Sequence, residues 1–90
     1  MNREIIELIR ELNNLYEIIV KELEPAIIDI INNNSKDINM IEKYLDQLLS
    51  IPTNKSKELF NILSNYYLNI NKESAKFYIK EYKKIIDERC

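Results

Sequence analysis

The stretch Ile5–Ile30, IIELIRELNNLYEIIVKELEPAIIDI, decides how this chain folds. Ile5, Ile9, Leu12, Tyr16, Ile19, Leu23, Ala26 and Ile30 follow one another in alternating steps of four and three. Such spacing puts all eight on one side of an α-helix. Leu8 and Leu15 widen the apolar stripe on one flank, and Ile6, Val20 and Ile27 widen it on the other. A stripe of that width suits a helix packed in a bundle better than a narrow two-stranded seam. Asn2 is positioned to cap the helix, and Glu4 falls in the first turn, where the helix dipole favours a carboxylate. Pro25 removes one backbone donor and disfavours helical geometry at Glu24. The heptad nevertheless keeps its phase across it, so we expect a kink rather than a break, and a first helix over residues 3–32.

The remainder reads as three shorter helices. Asn32-Asn33-Asn34-Ser35 is a turn, with Ser35 or Asp37 as the next cap. The chain has no Gly, so any residue with positive φ must be Asn or Asp. A second helix over 36–50 carries Ile38, Ile41, Leu45 and Leu48 on one face and ends at Ile51-Pro52. Thr53 or Asn54 caps a third helix over 54–68, and Asn71 caps a fourth over 72–88. No strand pattern and no internal repeat is visible. Short links between amphipathic helices make antiparallel neighbours, so the expected fold is all-α: one domain over 1–90, a three- or four-helix antiparallel bundle with a long first helix. Leu12, Ile19, Leu45, Leu63 and Ile79 are its expected buried residues.

Residues 59–82 hold six of the eight Phe and Tyr residues. On helical wheels Leu59, Leu63, Tyr66 and Ile70 fall within about 60° of one another. Phe60 and Tyr67 flank them. Ala75, Ile79, Tyr82 and Ile86 form the matching line of the fourth helix, with Tyr78 beside it. These aromatics read as core. Phe77 points away from that line into a face of Glu73, Lys80, Glu81 and Lys84, and Ile18 is a similar outlier on the first helix. Phe77 and Ile18, with Lys80 and Lys84, are therefore the candidate contacts to another chain.

Composition excludes most chemistry. Ninety residues bury a modest core and gain from oligomerisation. Histidine is absent, which removes His triads, His-ligated metals and the di-iron Glu-x-x-His motif. The absence of Gly removes phosphate-binding loops and the nucleophile elbow. The single Cys90 allows neither an internal disulfide nor a Cys-pair metal site. Glu4, Glu7 and Glu11, and Glu42 with Asp46, have the one-turn spacing that all-α nucleotide pyrophosphatases use for magnesium. Interspersed Arg3 and Arg10, and the favourable pair Glu17–Lys21, mark them as solvated faces. Lys72, Lys76, Lys80, Lys83 and Lys84 make a basic stripe, diluted by Glu73, Glu81, Asp87 and Glu88. The net charge of −2 gives no strong field for nucleic acid. The start shows no leader pattern, no apolar run is long enough to span a membrane, and a cytoplasmic location is expected. Ile, Asn, Lys and Tyr make up half the chain, a bias associated with AT-rich genes of low-GC bacteria and their phages.

The sequence thus points to a non-enzymatic helical protein without cofactor or metal, acting by protein–protein contact and forming a homodimer. Ile5, Ile9, Leu12, Tyr16, Ile19 and Leu23 are its self-association seam. Two alternatives stay open: a small inhibitor or immunity protein of a phage or mobile element, and a nucleic-acid accessory protein using the Lys stripe. A carboxylate-metal enzyme ranks behind both.

Overall fold

The computed structural model describes residues 3–89. Four helices follow in order: α1 (Arg3–Asn32), α2 (Ile38–Leu49), α3 (Asn54–Leu68) and α4 (Lys72–Arg89). All-α architecture and four short-linked helices agree with the sequence reading. The second helix begins two residues later than expected because Asp37, not Ser35, is its cap. The Asp37 carboxylate accepts from the Met40 N–H at 3.2 Å. Thr53 caps α3 by accepting from the Ser56 N–H at 3.1 Å. The Asn71 side chain accepts from the Ser74 N–H at the start of α4. α1 runs unbroken through Pro25. The expected cap Asn2 and the single thiol Cys90 lie outside the described residues.

α1 stops where its Asn run permits a left-handed residue. Asn34 has φ of 52°, the only positive φ among the described residues. The Asn34 N–H donates to the Ile31 carbonyl and the Ser35 N–H to the Ile30 carbonyl, the paired bonds of a Schellman ending. Asparagine takes the place glycine usually fills, since its short amide side chain tolerates this region better than a bulky one. The Tyr66 hydroxyl then donates to the Ser35 carbonyl at 2.7 Å and ties this turn to the end of α3.

α3 is the hub. It packs against each of the other three helices, and α1 also packs on α2. The core comprises Val20, Leu23, Ile27 and Ile30 from α1, Ile41, Leu45 and Leu48 from α2, Leu59, Phe60, Leu63 and Tyr67 from α3, Ala75 from α4, and Ile51 from a link. The aromatic reading holds. Phe60 and Tyr67 are fully buried, Tyr66, Tyr78 and Tyr82 pack at the core edge, and the Phe60 and Tyr82 rings stack at 4.4 Å. Two buried hydroxyls are satisfied locally: Ser56 donates to the Leu48 carbonyl at 2.8 Å and Ser64 to the Asn61 carbonyl.

Two core assignments fail. Leu12 and Ile19 are exposed, at 47% and 40%, and Ile79 is only partly buried. Leu45 and Leu63 are completely buried as expected. α4 packs along α3.

Leu63 lies at the meeting point of the hub with its neighbours, so Leu63→Ala should lower the unfolding free energy by ~2–5 kcal/mol. A denaturant titration is the check. A loss below ~1 kcal/mol would mean that the site collapses freely or is not core.

Candidate functional site

α1 has thirty residues, and its partners α2, α3 and α4 have twelve, fifteen and eighteen. At 1.5 Å per residue these lengths are about 45 Å against about 18–27 Å. The bundle therefore covers only part of α1. Its buried residues begin at Val20. The base of α3 meets α1 at the same level, where Glu17, Val20, Lys21 and Glu24 line a groove with Thr53, Asn54 and Lys55. Lys55 Nζ pairs with Glu24 Oε2 there at 2.6 Å, and that carboxylate holds the lysine above its ordinary pKa.

Below that level α1 continues as a single helical arm over residues 3–19. Ile5, Ile6, Leu8, Ile9, Leu12, Leu15, Ile18 and Ile19 are all exposed, from 37% at Ile6 to 64% at Leu8. Tyr16 is half-buried against the bundle core. On the wheel Ile5, Leu8, Ile9, Leu12, Leu15, Tyr16 and Ile19 fall within an arc of about 120°. Arg3, Glu7, Arg10 and Glu17 lie on the opposite side. The arm is an amphipathic helix whose apolar face, Tyr16 apart, lies exposed among the described residues. Its presence lengthens the molecule to 48 Å and raises the radius of gyration to 14.7 Å, against ~12 Å for a compact chain of this size.

The apolar face is of the order of the largest patch on a typical monomer, which is often functional. Complete burial of a Leu or Ile corresponds to roughly 60–120 Å² of apolar surface, so the six half-exposed ones of the stripe offer on the order of 180–360 Å² per chain. A pair of such arms then contributes roughly 400–700 Å², which reaches the lower end of the ~700–1,300 Å² apolar share of a standard protein interface.

Of the expected seam, Ile5, Ile9, Leu12 and Ile19 lie on this free face, and Tyr16 lies at its upper edge. Leu23 does not belong to it, since it is buried in the chain's own core. Ile18 is exposed on the flank of the arm. Phe77 is 60% exposed and makes an edge-on contact with Tyr78 at 5.8 Å. Lys80 and Lys84 are exposed on the same helix, remote in sequence from the arm. The structure thus splits the candidates into one continuous apolar face on α1 and a smaller mixed face on α4.

One polar cluster lies inside the bundle. The buried Tyr67 donates its hydroxyl to Glu42 Oε2 at 2.6 Å. Burial, helped by that carboxylate, pushes the Tyr67 hydroxyl pKa up. Burial also pushes up Tyr78, with Asp46 as the next cause. These tyrosines hold their protons and join α2 to α3 and α4. Glu4, Glu7 and Glu11 run along the arm, Glu42 and Asp46 along α2, and among the described residues no three acids, cysteines or histidines come together as a metal site. No described helix is long and apolar enough to cross a membrane.

Comparison with protein families, with characterised proteins and with solved structures gives no match to this chain.

The raised tyrosines set a pH dependence. Tyrosines in the unfolded chain ionise near pH ~10, whereas Tyr67 and Tyr78 resist ionisation in the fold. Above that pH the unfolded state holds fewer protons than the native state, so stability falls as pH rises, and below it this contribution is fully present. The urea midpoint should therefore drop between about pH 8 and about pH 10.5, and the double change Tyr67→Phe, Tyr78→Phe should reduce the drop. An equal drop in the double variant would assign the effect to other groups.

Proposed function

We propose that this protein acts by protein–protein contact and not by catalysis, and that it self-associates through the apolar face of the α1 arm. The observation that carries the reading is the row of six exposed Ile and Leu side chains on one side of the arm, Ile5, Leu8, Ile9, Leu12, Leu15 and Ile19. Single exposed apolar residues are ordinary, but a contiguous face of this size on a small soluble chain is the mark of an interaction site. The arm's own helicity supports the same reading. The bundle nucleates α1 from its C-terminal half, but a further seventeen residues containing the poor helix formers Asn13 and Asn14 gain little from propensity alone. Packing of the amphipathic face against another helix supplies what local propensity lacks.

A second copy of the chain is the partner that is always present at the right stoichiometry, and the two faces together reach the lower end of the apolar area of a standard interface. The residues missing from the sequence support the non-enzymatic part, since neither a His base nor a Gly-rich phosphate loop is available. The Lys stripe of α4 adds no second reading of comparable weight, because acids interrupt it and Phe77 is a single exposed aromatic beside it, not a row on which successive bases could stack.

The test is the effect of single changes on oligomer mass. Wild type should be dimeric by light scattering at ~100 μM, and Leu12→Glu should weaken association at least about tenfold, or ~1.4 kcal/mol, by placing a charge in the seam. Phe77→Ser, on α4, should leave the mass unchanged. A monomeric wild type contradicts the reading. A dimer lost in Phe77→Ser but retained in Leu12→Glu would move the contact to α4.

A further inference from the structure

We infer that the two copies pair with their α1 arms antiparallel, Leu12 at the twofold axis, and the two bundles at opposite ends. This rests on the self-association reading above and specifies its geometry. Three observations lead to it.

The first is where the bundle stands. The buried residues of α1, Val20, Leu23, Ile27 and Ile30, and the free stripe of the arm lie on the same side of the helix, their centres within about 40° of each other. α2 and α3 therefore occupy, next to the upper half of α1, the side that the stripe presents next to the lower half. In a parallel pair each copy would bring its bundle into the space between the two α1 helices at one level. Packed helices stand about 8–10 Å apart, and a helix with its side chains is itself about 10–12 Å across, so that space holds no bundle. The helices would have to splay from Val20 upward.

The second is the length of the overhang. The arm is exposed over 3–19 except at the half-buried Tyr16, and the fully buried residues of α1 begin at Val20. In the antiparallel pair each arm runs below the other copy's bundle. A twofold axis at Leu12 sets Ile5 of one copy level with Ile19 of the other, which pairs residues 5–19 of both arms and keeps the bundles, from Val20 upward, at opposite ends. About 24 Å along the paired helices then separates the two bundles.

The third is the pattern itself. Reversal about Leu12 exchanges Ile5 with Ile19, Leu8 with Tyr16 and Ile9 with Leu15. Every residue of the stripe meets the level of another residue of the stripe. Arg3, Glu7, Arg10, Glu17 and Lys21 stay on the outward side of both arms. A closed, isologous contact of this kind needs no second surface and stops at two copies.

Cysteine cross-linking reads the orientation directly. Two full-length variants are made, Ile5→Cys and Ile19→Cys, each with Cys90→Ser so that one thiol remains per chain, and the first is labelled with nitrogen-15. They are mixed in equal amounts at ~100 μM and oxidised with diamide, and the bridged species are weighed by mass spectrometry. Light scattering of the reduced mixture reports the dimer separately. The antiparallel pair predicts the mixed 5-to-19 bridge in about tenfold or greater excess over either like-with-like bridge, as expected when an aligned pair has an effective concentration near millimolar. Bridges of 5 to 5 and 19 to 19 in a dimeric mixture establish a parallel seam and overturn the proposal. So does a statistical distribution, or a dimer that forms no bridge. A mixture that scatters as monomer, like the wild type beside it, overturns the self-association reading itself.

Discussion

A mismatch of helix lengths organises this molecule. α1 spans about 45 Å, while no other helix exceeds about 27 Å. A helix buries its apolar stripe only along the length where neighbours exist. Here that length ends at Val20, and the heptad continues for seventeen residues beyond it. The remaining features are arranged around this step. α3 starts level with it, the Lys55–Glu24 ion pair sits at it, and the exposed apolar residues of α1 are concentrated below it. That ion pair is solvent-exposed and contributes little to stability. It marks the junction and does not hold it.

The bundle above the step is self-sufficient in chemical terms. Its buried hydroxyls have partners, its helix starts at Ile38, Asn54 and Lys72 are capped, and the Asn34 turn closes α1 without glycine. Tyr66, Tyr67 and Tyr78 use one side chain for two tasks. The ring packs in or at the edge of the core, and the hydroxyl reaches the Ser35 carbonyl in the α1–α2 link or a carboxylate on α2. Six tyrosines in so small a chain thus serve packing and registry of helices. The arm below the step has none of these devices except the half-buried Tyr16. It consists of an apolar face and a charged face, which is the form of half an interface.

Much of this was legible in the sequence, for identifiable reasons. The 3–4 spacing fixed α1, and Asp37, Thr53 and Asn71 are side chains whose capping follows from their chemistry. The wheel separated Phe77 from Phe60 and Tyr82 because helical phase depends on spacing alone. Leu12 and Ile19 were misplaced in the core because periodicity reports which face of a helix is apolar and not what stands opposite. The heptad reads the same at Leu12, which faces outward, and at Leu23, which faces the core. The boundaries held the missing information: a helix expected over 3–32 beside helices over 36–50, 54–68 and 72–88 cannot be covered along its whole length. Leu23 was misassigned to the seam for the converse reason, since the stripe passes from interface to core without a change of period.

The central claim is that residues 5–19 are ordered by contact with a second copy while the bundle is ordered by itself. Amide hydrogen exchange followed against protein concentration tests it most directly, because local protection reports what covers each helix segment. As concentration rises from ~0.1 μM to ~100 μM, across the range where a micromolar dimer saturates, arm amides should gain protection together while those around Ile41, Leu45, Leu59 and Leu63 stay constant. Protection over residues 5–19 that is the same at every concentration, or absent at the highest, would contradict the account.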